Sequence, residues 1–283
     1  MPQDRPFSIS IEDRLQNDYH ISMKIPLTKY GWPQVVVIPA ILLATMILVA
    51  LIAINLVSMR IVLLVELVLV LLLIWSLAFF RDPNRDCPSD ESLLLSPADG
   101  QITEIETVEG NNFLGSPALK IGIFLSIFNV HINRAPSNVK VEKIIYKKGQ
   151  YKNALNPESG RVNESNELQL IRTNSPADKL IVRQISGAIA RRIVCKTSQG
   201  KELAAGEKFG MIKFGSRTEL YVPVSSNFVD GKYGTENSSE SKAGSGTKQD
   251  IFRNNYVIKC LVKPGDKVKA GLTPLVRYEK CRE

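Results

Sequence analysis

Histidine is nearly absent from this chain: among 283 residues only His20 and His131 carry an imidazole. Acid–base chemistry based on histidine therefore has few places to reside. Cysteine is also scarce, and Cys87, Cys195, Cys260 and Cys281 include no CxxC pair. Zinc sites built on thiolates use closely spaced ligand pairs, and disulfide scaffolds are short and cysteine-dense, so neither is expected. The four cysteines read as free thiols of a reducing compartment. Beyond residue 81 no long amphipathic helical repeat occurs, which removes coiled-coil architectures. The first 33 residues lack an apolar core and do not read as a signal peptide. Positive charge is in good supply, with 36 Lys and Arg against 28 Asp and Glu, a formal net charge of +8. That balance favours an anionic partner, either nucleic acid or an acidic membrane surface.

Hydropathy decides for the membrane. Gln34 to Val57 contains no charge, and Ile61 to Phe80 contains only Glu66. Each run is long enough to cross a hydrocarbon core of about 30 Å as a helix. Only Ser58, Met59 and Arg60 separate them, so 34–80 is expected to form a tight transmembrane hairpin with both ends on one side. Arg5, Arg14, Lys24 and Lys29 precede it and Arg81 and Arg85 follow, against Arg60 alone in the turn. The positive-inside rule then places both ends, and all that follows, in the cytoplasm on the inner membrane. Trp32, Trp75, Phe79 and Phe80 sit where interfacial anchors belong. Glu66 is either a helix-pairing residue near the interface or a functional carboxylate.

After Arg81 the chain changes character. Short β-branched runs recur (GQITEIETV, ALKIGIFLSI, VKVEKIIYKK, ELQLIRT, KLIVRQISG, RRIVCKT, TELYVPV and NYVIKCLV), separated by Gly, Pro and Asn. They predict a mainly β domain over 81–283. Residues 231–250 are Gly/Ser/Lys-rich and read as a flexible loop. Two segments echo each other: GKELAAG at 200–206 and GDKVKAG at 265–271. Both resemble the hairpins of lipoyl and biotinyl carrier folds, implying a barrel-sandwich β structure with quasi-twofold symmetry.

Three further segments carry chemistry-bearing residues: SPADG (96–100), FNVHINRAP (128–136) and KFGSR (213–217). Each alone is weak, since Asp-Gly and Gly-Ser pairs are usually turns. The order FFRDPNR, SPADG, FLSIFNVHINRAP, YKKGQY, RQISGAIARRIVC, GEKFGMIKFGSRTELYVP resembles, as a series, the short membrane-anchored form of the phosphatidylserine decarboxylase family. The resemblance is close over about 79–223 and looser over 256–276. It implies an autocatalytically processed lyase that converts phosphatidylserine to phosphatidylethanolamine. Cleavage would fall between Gly215 and Ser216, and Ser216 would become a covalent pyruvoyl cofactor. Two chains, 1–215 and 216–283, would remain paired non-covalently. Self-association of that pair is left open, and neither a metal nor a nucleic acid is expected.

That chemistry calls for a deprotonated Ser216 Oγ near the Gly215 carbonyl. His131, oriented by Asp99, is the expected base, in the logic of a Ser-His-Asp arrangement. Gly215 offers low steric resistance to attack. The resulting ketone would act as an electron sink when CO2 departs. Arg134, Arg217 and Asn133 flank these residues and are assigned to substrate phosphate or carboxylate. Lys147, Lys148, Lys152, Arg191 and Arg192 are further candidates for the anionic surface. The chain departs from longer family members, which have His-x-x-His where this one has His131 and Arg134. His131 must therefore serve both self-cleavage and decarboxylation, or share them with Asp99, Asn133, Arg134 or water. A decarboxylase of an ether-type phosphoserine lipid would need the same residues. A membrane-anchored lipoyl-like adaptor is the reading from a different class.

Overall fold

The structure, a computed structural model, describes residues 27–53, 58–156, 158–188, 192–213, 215–224 and 256–280. His20, the 231–250 loop and residues 54–57 of the first apolar run lie outside the described residues.

Two helices form the hairpin, α1 (Gln34–Ala53) and α2 (Met59–Phe79). Their apolar surfaces are left bare: Ile47, Leu51, Leu63, Leu64 and Ile74 are all more than half exposed. Both helices are long and apolar enough to cross a membrane, and a bare apolar surface of this extent fits burial in lipid. An antiparallel bridge between Leu27 and Arg81 and a Thr28 N–H to Phe80 C=O bond of 2.9 Å bring the two ends together. At that base Phe79 and Phe80 bury themselves with Met211, packed by Tyr30, Val35, Ile38, Trp75 and Val194. The hairpin thus rests directly on the β domain.

Fourteen strands follow among the described residues, with one four-residue helix, α3 (Ser159–Val162). The large sheet contains β2 (Gly100–Val108), β3 (Ala118–Leu125), β5 (Val139–Lys147), β6 (Ser165–Arg172), β7 (Lys179–Ile185), β9 (Glu202–Leu203), β11 (Ser216–Pro223) and β13 (Lys267–Val268). Its order is β13-β2-β3-β11-β7-β6-β5-β9. Two three-stranded sheets complete the domain. One joins β1 (Leu93–Leu95), β14 (Pro274–Lys280) and β12 (Tyr256–Cys260), and the other β4 (Ile132–Arg134), β10 (Lys208–Ile212) and β8 (Ile193–Cys195). Leu94, Ile102, Ile121, Ile123, Leu168, Val182, Leu220 and Val276 fill the core between them.

The order of the large sheet reads as two mirrored halves, and the hydrogen bonds show that they repeat. Val268 pairs with Gly100 as Leu203 pairs with Val139. Each following hairpin carries a bulge at the matching place, Ile102/Glu104 in one half and Val141/Lys143 in the other. The N–H of Gly271 donates to the Ser96 carbonyl, and that of Gly206 to the Ala135 carbonyl. Asp99 Oδ1 accepts the Ala270 N–H at 2.8 Å, and Asn138 Oδ1 accepts the Ala205 N–H at 2.8 Å. The quasi-twofold symmetry expected from the two GxxxxAG segments is therefore present. It extends further, to Pro97-Ala98-Asp99 matched with Pro136-Ser137-Asn138. Gly206 (φ +74°) and Gly271 (φ +72°) meet back to back, and a Cβ on Gly271 would lie 3.3 Å from the Cα of Gly206. Glycine is required there both by the left-handed backbone and by this close approach.

Candidate active site

Ser216 is the first residue of β11, the strand at the centre of the large sheet. It pairs with Leu125 of β3, and Arg217 pairs with Ile185 of β7. Ser216 is fully buried, yet its Oγ has no hydrogen-bond partner. Gly215 before it has φ +61°, a left-handed conformation that resists any other residue. Extending the β7–β11 register by two residues sets Gly187 opposite Gly215. A Cβ on Gly187 would lie 2.2 Å from the Gly215 carbonyl oxygen. That wall is fixed, because Ser186 donates its N–H to the Glu164 carbonyl and accepts from Asn163 Nδ2.

His131 lies just before β4 and is also fully buried. Its Nδ1 lies 2.9 Å from the Asn129 carbonyl. A carbonyl can only accept, so Nδ1 carries the proton and Nε2 is the free base. Nε2 has no partner. Phe79, at the end of α2, places its ring 4.4 Å from the imidazole centroid, tilted by 38°. Burial pushes the His131 pKa down to about 4. The Asn129 carbonyl opposes that shift, Arg81 adds to it, and Asp99 opposes it weakly through space.

The remaining expected site residues are engaged elsewhere. Asp99 was expected to orient His131, but its carboxylate is gripped by Arg85 at 2.5 and 2.8 Å and by the Ala270 N–H. Its position in the repeat explains this, since Asn138 caps the same turn in the other half. Asp99→Asn should keep the Ala270 bond but leave Arg85 as an unpaired buried cation. We expect a loss of about 3 kcal/mol in thermal unfolding, largely recovered in Arg85→Met/Asp99→Asn.

Arg134 was expected at the substrate but is spent on backbone, donating to the Gly206 and Pro83 carbonyls at 3.0 Å each. Arg217 directly follows Ser216, yet successive strand side chains point to opposite faces. It turns away into a buried cluster with Glu104, Glu219 and Thr103. That cluster borders a cleft of about 550 Å³ on the far face of the sheet, lined by Lys120, Arg183 and Tyr221 among others. Asn133 lies closer to the expected place. Its amide donates to Thr218 Oγ1 at 3.0 Å and accepts from Gln184 Nε2 at 2.9 Å. Thr218 shares the face of Ser216 and Asn133 that of His131, two residues on in each case, so this buried network ties their strands together.

Among the cations, Lys147 reaches the Arg161 carbonyl and Lys152 pairs with Glu158. Arg191 lies outside the described residues. No His, Cys, Asp and Glu cluster that could hold a metal occurs among the described residues.

Sequence reasoning gives Gly187 no role, and marks Arg85 only as a flanking cation and Phe79 only as an interfacial anchor. The contact of Gly187 follows only from strand register, and that of Phe79 only from how the hairpin docks. Lys213 was quoted in its motif without a role. It is buried two residues before Gly215 and donates to Gln34 Oε1 at 2.8 Å, and burial lowers its pKa, with Arg192 adding to the effect.

Comparisons with known proteins supply the family. Residues 72–275 match the family described as Phosphatidylserine decarboxylase. The phosphatidylserine decarboxylase proenzyme of Desulfotalea psychrophila is 43% identical over 155 residues, covering 55% of this chain and 72% of the relative. That of Azorhizobium caulinodans is 45% identical over 156 residues, covering 54% and 66%. That of Pelagibacter ubique is 43% identical over 155 residues, covering 54% and 71%. A mainly β domain on an apolar helical hairpin, matched to one family over most of its length, belongs to the phosphatidylserine decarboxylases, which release CO2 from the serine head group of the lipid.

Proposed function

We propose that the chain acquires this activity by cutting itself between Gly215 and Ser216, with Ser216 becoming a pyruvoyl group. The observation that carries the reading is a buried Ser216 hydroxyl without a partner, next to a left-handed glycine. An unsatisfied buried polar group costs about 1–3 kcal/mol, and its neighbours Asn133, Thr218 and Gln184 are bonded to one another. A free hydroxyl in that company is suited to attack.

Ser216 Oγ and His131 Nε2 are both unpaired and not bonded to each other; on their approach Nε2 takes the Ser216 proton, with the tautomer set by the Asn129 carbonyl. Oγ then adds to the Gly215 carbonyl, and the C–N bond breaks to give an ester on Ser216. Loss of the Ser216 α-proton expels the Gly215 carboxylate and leaves dehydroalanine, whose imine tautomer takes up one water and releases ammonia to give the ketone. The residues present fit the product: a planar acyl group on residue 216 needs no room beyond the serine it replaces. When in place, the pyruvoyl carbonyl supplies a sink for the electron pair left as CO2 departs. His131 is the imidazole available to hold and return a proton, which extends its role from maturation to turnover. Asp99 acts on it only through space. Both products stay in one sheet, since β11 remains paired between β3 and β7. The flanking cations favour a cytoplasm-facing domain on the inner membrane.

Intact-mass measurement tests the reading. Two chains are expected, the smaller starting at residue 216 with a pyruvoyl in place of serine. A single uncut chain with full decarboxylase activity would overturn it.

The depressed pKa of His131 gives a second expectation. The neutral base is present at all pH values above about 4, so self-cleavage should be flat through pH 6.5 and fall only near pH 4. The unfolded imidazole takes up its proton near 6.5 and the folded one near 4. Stability from this residue is therefore complete above 6.5 and is lost as pH falls to 4, by about 3 kcal/mol in all. Unfolding of Ser216→Ala and of Ser216→Ala/His131→Gln, followed from pH 7 to 4, should show a loss larger in the first by about 3 kcal/mol.

A further inference from the structure

The turn that leads from β3 to His131 exposes a large apolar ring, Phe128, which is 69% exposed. The turn is stiff. Asn129 Oδ1 accepts from both the N–H and the hydroxyl of Ser126 at 2.9 Å, and the Asn129 N–H returns to the Ser126 carbonyl. It is also fastened to the membrane hairpin. Arg81 donates from Nη1 to the Ala78 carbonyl at the end of α2 and from Nη2 to the Phe128 carbonyl, both at 2.7 Å. The ring is thereby held beside the end of a helix whose apolar surface is bare up to Ile74. Trp32, just ahead of α1, is 67% exposed. Aromatic rings at the ends of spanning helices settle in the head-group layer. The inward side of the same turn faces the site, with Ile127 Cγ2 3.9 Å from where a Cβ on Gly215 would be.

We propose that Phe128 is a membrane-inserting wedge, a third contact with the bilayer beside α1 and α2, which seats the Ser126–Asn129 turn in the head-group layer. The occupant is lipid rather than protein, because Arg81 fastens the turn to the end of α2, a helix long and apolar enough to cross a membrane. The consequence is access: Ser216 and His131 are fully buried, and the turn between them and the bilayer is the element a lipid head group must pass.

The test uses the full chain in vesicles of phosphatidylcholine and phosphatidylserine. Phe128→Trp is made in a Trp32→Phe/Trp75→Phe background and compared with that background. Emission from Trp at 128 should be blue-shifted and quenched by lipids brominated high on the acyl chain. Water-like emission without quenching overturns the proposal. A blue shift without quenching also does, and points to cover by a second copy of the chain. In the second arm, Phe128→Ser should lower kcat/KM on bilayer phosphatidylserine about tenfold, the equivalent of losing one buried aromatic contact. Phe128→Leu should restore most of it. Turnover of short-chain phosphatidylserine dispersed in detergent, and self-cleavage, should not change. Equal losses on both substrate forms would overturn the wedge. The quenching arm does not depend on catalysis, so it can fail or hold independently of the Gly215–Ser216 assignment.

Discussion

Ser216→Ala should leave the chain as one uncut polypeptide with no decarboxylase activity. Cleavage should slow by about 10⁴-fold or more, as when the nucleophile of an acyl-transfer site is removed. Alanine fits the site without strain, because Ser216 Oγ makes no hydrogen bond that folding would miss. Removing an unsatisfied hydroxyl is expected to be neutral or slightly stabilising. The variant should therefore melt no lower than an uncut wild-type precursor, which separates loss of chemistry from loss of fold. Electrophoresis and intact mass read the first, and thermal unfolding in detergent reads the second. An uncut Ser216→Ala protein that still decarboxylates would sink the pyruvoyl mechanism while leaving the family assignment standing.

Gly187→Ala should slow self-cleavage by about a hundredfold, the cost of displacing a reacting group by about 1 Å. The added methyl would lie 2.2 Å from the Gly215 carbonyl oxygen, the atom that must take up negative charge when Oγ attacks. Gly187 cannot retreat, since Ser186 is bonded on both sides, so the scissile peptide must move instead. Gly110→Ala is the control. Its Cβ would lie 1.6 Å from the Ser116 carbonyl oxygen, a backbone clash in the β2–β3 connection, away from the scissile bond. Both variants should lose stability, and only Gly187→Ala should accumulate precursor. If the two cut at the same rate, the contact is one of packing alone.

Much of this molecule is legible without coordinates, because the relevant signals are local. Helices long and apolar enough to cross a membrane follow from the run lengths of 34–57 and 61–80, and the observed α1 and α2 lie within a residue or two of those bounds wherever the chain is described. Strands such as Gly100–Val108 follow from their β-branched content and their flanking turns. The matched GKELAAG and GDKVKAG segments reveal the duplication, since each glycine must adopt a left-handed turn. Pro-Ala-Asp and Pro-Ser-Asn were not recognised as its other half, because the two share only a proline and an acceptor side chain.

What the sequence by itself determined is the hairpin, the β character of the domain and the ordered motifs that identify its family. All of these depend on composition and spacing along the chain. The partners of the buried charges were decided by tertiary structure alone. Asp99 goes to Arg85 and Ala270 rather than to His131, and Arg134 goes to the carbonyls of Gly206 and Pro83. Arg217 goes to the far face of the sheet with Glu104 and Glu219. Charge and proximity in sequence suggest a site for each. The alternation of strand faces and the register of non-local pairs determine which atoms meet, and a burial cost of several kcal/mol per ion obliges each charge to take the partner that register provides.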